Sequence, residues 1–176
     1  MDQDQPVIDI EQDLLQVSLE RMNYITPAGF ARMQEEVDHL LNTERPKAAE
    51  FASCSAENGD YLYGNQRLRE IDGRVRFLTK RLRLAEIVDP SHQFNRDQVF
   101  FGATVTYVNG RGEEHTICIL GLDEADCRRG EVSLHSPIAR ALLGSRIGDT
   151  VSIVSQTTCE AVDVLAIRYP AGCGGR

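Results

Sequence analysis

Seven cations within eighteen residues are the feature of this sequence with the most chemical content. Between Gln66 and Arg83 stand Arg67, Arg69, Arg74, Arg76, Lys80, Arg81 and Arg83 against only Glu70 and Asp72, a balance of +5. Six of them fall into two columns of seven-residue period, Arg67–Arg74–Arg81 and Arg69–Arg76–Arg83. The whole chain carries −8, so the remainder carries −13. Positive charge gathered on an acidic protein repels itself unless an anion lies near, which points to a polyanion close to this segment. The other reading is a solvated helix face whose cations pair with acids on a partner helix. Thiol and imidazole chemistry is not indicated. The five cysteines (Cys54, Cys118, Cys127, Cys159, Cys173) form no C-x-x-C pair, and His39, His92, His115 and His135 have no metal-ligand spacing. Reduced thiols in a cytosol are expected, rather than a disulfide framework or a zinc site. A pI near 5.0 argues against autonomous binding to free nucleic acid.

The cations must ride on a helix. Leu68, Ile71, Val75, Leu78, Leu82 and Ala85 recur every three or four residues, the a/d seam of a helix lying along one partner. That partner precedes it. Thr26-Pro27 supplies an N-cap hydroxyl and a proline for the first turn, and Phe30, Met33, Val37, Leu40 and Leu41 follow at helical spacing to about Asn42. Pro46 should kink or restart this arm, and Lys47–Ala52 reads as a further helical piece. Ser53–Gly59 is a turn, and Gly64-Asn65 is a weak point that leaves the returning helix secure only from Gln66. Asp89-Pro90 ends it. Residues 23–89 thus form an antiparallel helical hairpin, preceded by an acidic, flexible extension over 1–22.

After a polar linker, 90–98, the composition switches. Val99–Val108 alternates like a strand, Asn109-Gly110 is a hairpin signal, and Glu113–Leu120 returns. Glu131–Leu134 is a short strand, Ser136 caps a short helix Pro137–Leu143, and Thr150–Ser155 and Ala161–Arg168 add two strands. The fold class is α+β, with residues 99–170 an antiparallel sheet domain carrying one short helix and 171–176 a flexible tail. No apolar run is long enough to span a membrane and no signal peptide opens the chain, so a cytoplasmic location is expected.

Several stretches carry a family resemblance. They are ERP at Glu44–Pro46, ENGDY at Glu57–Tyr61, RLREIDGRVRFLTKRL at Arg67–Leu82, VFFGATV at Val99–Val105, DEAD at Asp123–Asp126, SPIARALLG at Ser136–Gly144 and VLAIRY at Val164–Tyr169. In this order, from about Met22 to Tyr169, the chain resembles the bacterial Gre transcript cleavage factors, and the long helix favours their GreB branch. The resemblance implies a coiled-coil hairpin followed by an FKBP-like domain. It implies a monomer whose partners are RNA polymerase, at the rim of its secondary channel, and the 3′ end of nascent RNA. Ser136, Pro137 and Arg140 match the docking region of the C-terminal domain. Arg67, Arg69, Arg74 and Arg76 match cations that contact RNA. Carboxylates at the hairpin tip help hold the second Mg²⁺ of the polymerase active site, so the factor binds no cofactor stably and is not itself an enzyme. Here Glu57 stands at a metal-recruiting position, with Asp60 the next carboxylate.

The tip also departs from the family's pattern. The family reads Gly-Asp and then, after a short gap, Glu-Asn; here Glu57-Asn58 is present but the Asp position is Cys54. The arm between Pro46 and the tip is about six residues shorter, which removes roughly 9 Å of helix and turns the seam by about 120°. The simplest accommodation unwinds the start of the second helix. His135 stands where the family has Asp or Asn. Three functions follow: a factor that promotes cleavage of backtracked RNA, a secondary-channel binder without cleavage activity, and a prolyl isomerase suggested by the FKBP-like domain. The last needs an aromatic-lined pocket, and a chain with no Trp and 6% aromatic residues is poorly equipped for one.

Overall fold

The computed structural model describes residues 23–53, 59–154 and 159–171. The expected N-terminal extension, Cys54, Glu57 and most of the C-terminal tail lie outside the described residues. The described residues divide into two compact units, Ile25–Asp89 and a second built from Pro90 onward.

The first unit is the hairpin. Thr26 is extended, and its Oγ1 accepts the Gly29 N–H at 3.0 Å, so one of the orphan donors of helix α1 (Pro27–His39) is satisfied by the cap. Pro27 occupies the first turn, where its missing N–H costs nothing. The apolar face of α1 closes on helix α3 (Gly59–Leu84) through Ile25, Met33 and Leu78, with Phe30, Val37, Leu40, Leu82 and Ala85 packed around them. At the open end strand β1 (Tyr24–Ile25) pairs with strand β2 (Glu86–Ile87), and the Val88 N–H donates to the Ile25 carbonyl at 2.9 Å. Thr26→Ala should cost about 1 kcal/mol, read as an earlier hairpin transition in denaturant. An unchanged midpoint would mean that packing alone sets this helix start.

Pro46 neither stops the ascending arm nor breaks it. From Leu40 to Glu44 the helix widens into one π turn, closed by the Arg45 N–H on the Leu40 carbonyl, and helix α2 (Arg45–Ala52) continues from it. The wider turn takes the carbonyl four residues back out of the path of the proline ring, which is how the arm absorbs a residue that cannot donate. A π turn also takes up one extra residue, about 100° of helical phase.

Among the described residues the expected unwinding at Gly64-Asn65 does not occur. Helix α3 runs unbroken from Gly59, and Gly64 is no weak point. It lies where the two backbones meet: a Cβ at this position would stand 2.7 Å from the Phe51 carbonyl carbon and 2.8 Å from the Ala52 Cα, and closer still to the Ala52 nitrogen. Ala48 is buried at the same level, so the arms near the tip touch through glycine and alanine instead of large side chains.

The second unit is a five-stranded sheet of order β5–β4–β3–β7–β6, with β3 Thr104–Asn109, β4 Glu114–Leu120, β5 Glu131–Ser133, β6 Thr150–Val154 and β7 Cys159–Arg168. The sheet is mixed and not wholly antiparallel as its sequence suggests: β5 pairs parallel to β4, Cys118 opposite Glu131 and Leu120 opposite Ser133. Parallel pairing needs a crossover. The segment from Gly121 to Gly130 provides it through a 3₁₀ turn that Asp126 caps and that ends on Gly130 at φ +72. Val99–Ala103 is not strand either. Gly102, at φ +79, turns the chain there against the Pro90 ring, and β3 begins only at Thr104. Val99, Ala103, Val105, Ile119, Ala139, Leu142, Val162 and Val164 fill the core, and helix α4 (Pro137–Leu142) packs on it. The Tyr169 hydroxyl donates to the Gln98 carbonyl at 2.6 Å and accepts the Phe100 N–H at 2.8 Å, fastening the end of β7 to the entry segment. Among the described residues no helix is long and apolar enough to cross a membrane.

Candidate nucleic-acid interface

Helix α3 carries the cations, and its periodicity sorts them. The seam residues Ile71 and Leu78 are fully buried against the ascending arm, and each arginine column sits on its own flank.

In the Arg67–Arg74–Arg81 column, Arg67 and Arg74 are spent on the hairpin itself. Arg74 clasps Glu36 of α1 through two hydrogen bonds of 2.7 and 3.1 Å, and its guanidinium lies 5.6 Å from the centre of the Phe77 ring. Arg67 donates to Glu44 at 3.3 Å and to Glu70 at 3.2 Å. Hydrogen bonds to Glu70 and then Glu44 raise its pKa further above the ordinary arginine value. In the opposite direction Arg45 of the ascending arm donates to Asp72 at 3.0 Å. These pairs are solvent-exposed and individually weak, but a ladder of them, with one bidentate member, favours one register of the two arms over others.

The second column has different surroundings. Arg76 donates to the Asp72 carbonyl at 3.2 Å, and Arg69, Arg76, Lys80 and Arg83 meet no carboxylate among the described residues. Within an arc of about 60° these four form a row roughly 21 Å long on α3. At its lower end Arg76, Lys80 and Arg83 border a shallow groove of about 390 Å³ with Val75, Thr79 and Leu84. Among the described residues these four cations leave one face of the helix with a local excess of positive charge.

The tip residues fall differently. Cys54 and Glu57 lie outside the described residues, and Asp60 belongs to the first turn of α3. Among the described residues no three His, Cys, Asp or Glu side chains converge as a metal site. Just below the tip Phe51 and Tyr63 meet edge to face with centroids 6.1 Å apart, a pair that sequence reasoning missed. The signal was present: aromatic residues flank a turn on a rod otherwise poor in them.

In the C-terminal unit Ser136, Pro137 and Arg140 come together at the start of α4. The Ser136 Oγ accepts the Ala139 N–H at 3.2 Å, the Ser136 N–H donates to Ser133, and Pro137 and Arg140 face solvent. His135 is held by its N–H on the Ser133 Oγ at 3.2 Å. The acids of DEAD at Asp123–Asp126 have structural work. Glu124 is buried and accepts the Gly121 N–H at 3.0 Å, and Asp126 caps the crossover turn through the Arg128 N–H.

Comparison with known proteins matches both halves. The family described as Transcription elongation factor, GreA/GreB, C-term matches residues 94–169, and that described as Transcription elongation factor, N-terminal matches residues 23–87. A transcription elongation factor GreB of Neisseria meningitidis is 45% identical over 159 residues, covering 87% of this chain and 98% of its own. A GreB of Pasteurella multocida is 45% identical over 139 residues, covering 76% and 87% respectively. Among solved structures, GreA factor homolog 1 of Thermus thermophilus is 22% identical, covers 84% of this chain and 99% of its own, and gives a TM-score of 0.37. With both halves matched in order and this identity across nearly the whole of a relative, the chain belongs to the GreA/GreB family of transcription elongation factors, on its GreB side.

Proposed function

We propose that this protein acts on RNA polymerase as a monomer, docking through the Ser136–Arg140 region and extending its hairpin through the secondary channel to the 3′ end of backtracked RNA, whose cleavage it promotes. The observation that carries this reading is the row Arg69, Arg76, Lys80 and Arg83, without carboxylate partners among the described residues, while Arg67 and Arg74 of the neighbouring column are paired. Arg69 and Arg76, the members nearer the tip, contact RNA phosphates. Arg67 and Arg74 chiefly hold the two arms in register. The active site is the polymerase's own, so the factor is an accessory and not an enzyme. At the tip the donor set is Glu57 and Asn58, hard oxygen donors suited to Mg²⁺, whereas the Cys54 thiol is too soft to choose it. Glu57 would share a Mg²⁺ with the polymerase, and such an ion supplies an activated water for phosphodiester hydrolysis. Asp60, three residues on from Glu57 in sequence, has the charge that the first turn of a helix favours. A second reading, a channel binder that competes with cleavage factors without cleaving, is favoured by Cys54 in place of a carboxylate.

Two double variants separate the columns. Arg69→Glu with Arg76→Glu should weaken association with backtracked complexes about tenfold at low salt and flatten its salt dependence, leaving thermal melting unchanged. Arg67→Glu with Arg74→Glu should instead lower the melting temperature, because Glu36 and Glu44 then face like charges. If the first variant binds and acts as wild type at low salt, the row is only a solvated face.

A further inference from the structure

We infer that the acidic N-terminal segment of this chain, residues 9–20, docks in the groove that Val75, Arg76, Thr79, Lys80, Arg83 and Leu84 form on helix α3. The groove, of about 390 Å³, has two kinds of wall. Val75 and Leu84 give it apolar surface, Leu84 being 60% exposed, and Arg76, Lys80 and Arg83 border that surface with positive charge. A bare polyanion uses the charge and leaves Leu84 in water. A peptide that carries carboxylates and aliphatic side chains together satisfies both.

The chain itself supplies such a peptide beside the groove. Residues 1–22 hold six acidic residues, Asp9, Glu11, Asp13 and Glu20 among them, against Arg21 alone, a balance of −5 that matches in size the +5 of Gln66–Arg83. Val7, Ile10, Leu14 and Val17 recur at intervals of three and four, with acids between them. The point where this stretch joins the hairpin is fixed. Ile25 is buried in one cluster with Leu78, and its carbonyl accepts the Val88 N–H. Leu78 precedes Thr79 and lies one turn from Val75, so the segment enters at the level of the groove. From Ile25, five residues of extended chain back to Glu20 span at most roughly 17 Å, against about 14 Å for α3 from Val75 to Leu84. The acids from Asp9 to Glu20 therefore have the chain length to reach Lys80. Tethering favours this occupant over a separate molecule, because a short linker holds the segment at an effective concentration on the order of millimolar. Three cations that meet no carboxylate among the described residues thereby gain partners, and an external polyanion must displace the segment to reach them.

The test uses the full chain alone. Lys47 of helix α2 and Lys80 are its only lysines, and both are exposed. A water-soluble carbodiimide, which joins a carboxylate to an amine only when the two touch, is applied at low salt, and the links are mapped by mass spectrometry. Lys80 should be joined to carboxylates of residues 9–20 at roughly ten times the yield found for Lys47. In Ile10→Ser with Leu14→Ser, which keeps every charge, the Lys80 links should fall about fivefold or more. Equal yields at Lys47 and Lys80 mean a segment that visits the surface at random and overturn the docking, as does the absence of any link to Lys80. Links to Lys80 unchanged in the double variant reduce the contact to charge alone and overturn the groove as the site. Mixing isotope-labelled with unlabelled chain identifies links between molecules; a majority of these assigns the groove to a second copy and overturns the intramolecular contact. Neither polymerase nor RNA is present, so failure here leaves the proposed function standing.

Discussion

Gly64→Ala lowers the stability of the hairpin by about 1–3 kcal/mol, although the same substitution in an open helix position stabilises by about 0.5–1 kcal/mol. The sign is reversed by what the new methyl group meets. At Gly64 it meets the backbone of Phe51 and Ala52 at 2.8 Å or less, and backbone cannot rotate aside as a side chain can. Gly73 lies on the same helix and is the control, because a Cβ there meets nothing within 4 Å. Gly73→Ala should therefore raise stability through helix propensity alone. Denaturant unfolding of the two variants, with the wild type between them, reads the difference directly. Gly64→Val should go further and force the arms apart near the tip, removing activity on backtracked complexes while the C-terminal unit still binds polymerase. If Gly64→Ala stabilises as much as Gly73→Ala, the arms do not touch there and the register assigned to the tip is wrong.

Transcript cleavage should be weak, dependent on Glu57, and improved by raised Mg²⁺. One carboxylate remains at the tip, and a thiol at Cys54 is mostly uncharged at neutral pH and a poor partner for a hard cation. Losing one carboxylate from a weakly held Mg²⁺ costs on the order of 1–3 kcal/mol, or roughly ten- to a hundred-fold in occupancy. Glu57→Ala should then remove most of the stimulation. Cys54→Asp should raise it, provided that the arm reaches the polymerase active site. The measurement is cleavage of a backtracked complex by the three proteins across a Mg²⁺ titration. Strong cleavage indifferent to Glu57 would sink the metal-recruiting role of the tip. Absence of cleavage from every variant, with binding retained, would establish the channel-blocking reading instead.

What the sequence determined by itself is what neighbouring residues decide. Thr26-Pro27 caps α1 because a hydroxyl and a ring act within one turn. Asn109 turns β3 into β4 because its own Oδ1 accepts the N–H groups of Arg111 and Glu113. The seam from Leu68 to Leu82 announces a partner helix because burial follows periodicity, and the two arginine columns are visible in the same spacing. Which column would be neutralised was not visible. Glu36 and Glu44 lie 38 and 23 residues away from the arginines they hold, so only the register of the two arms decides that Arg67 and Arg74 are paired while Arg69 and Arg76 are not. The same register turned Gly64 from an apparent weak point into a place where the two backbones meet, since a glycine reads alike whether it loosens a helix or admits another backbone. It also placed a π turn at Leu40–Glu44 ahead of Pro46, a widening of the helix that no local propensity distinguishes from a kink. The parallel pairing of β5 has the same origin: a three-residue strand has too little pattern to state its direction, and the crossover that carries it over from β4 sets it.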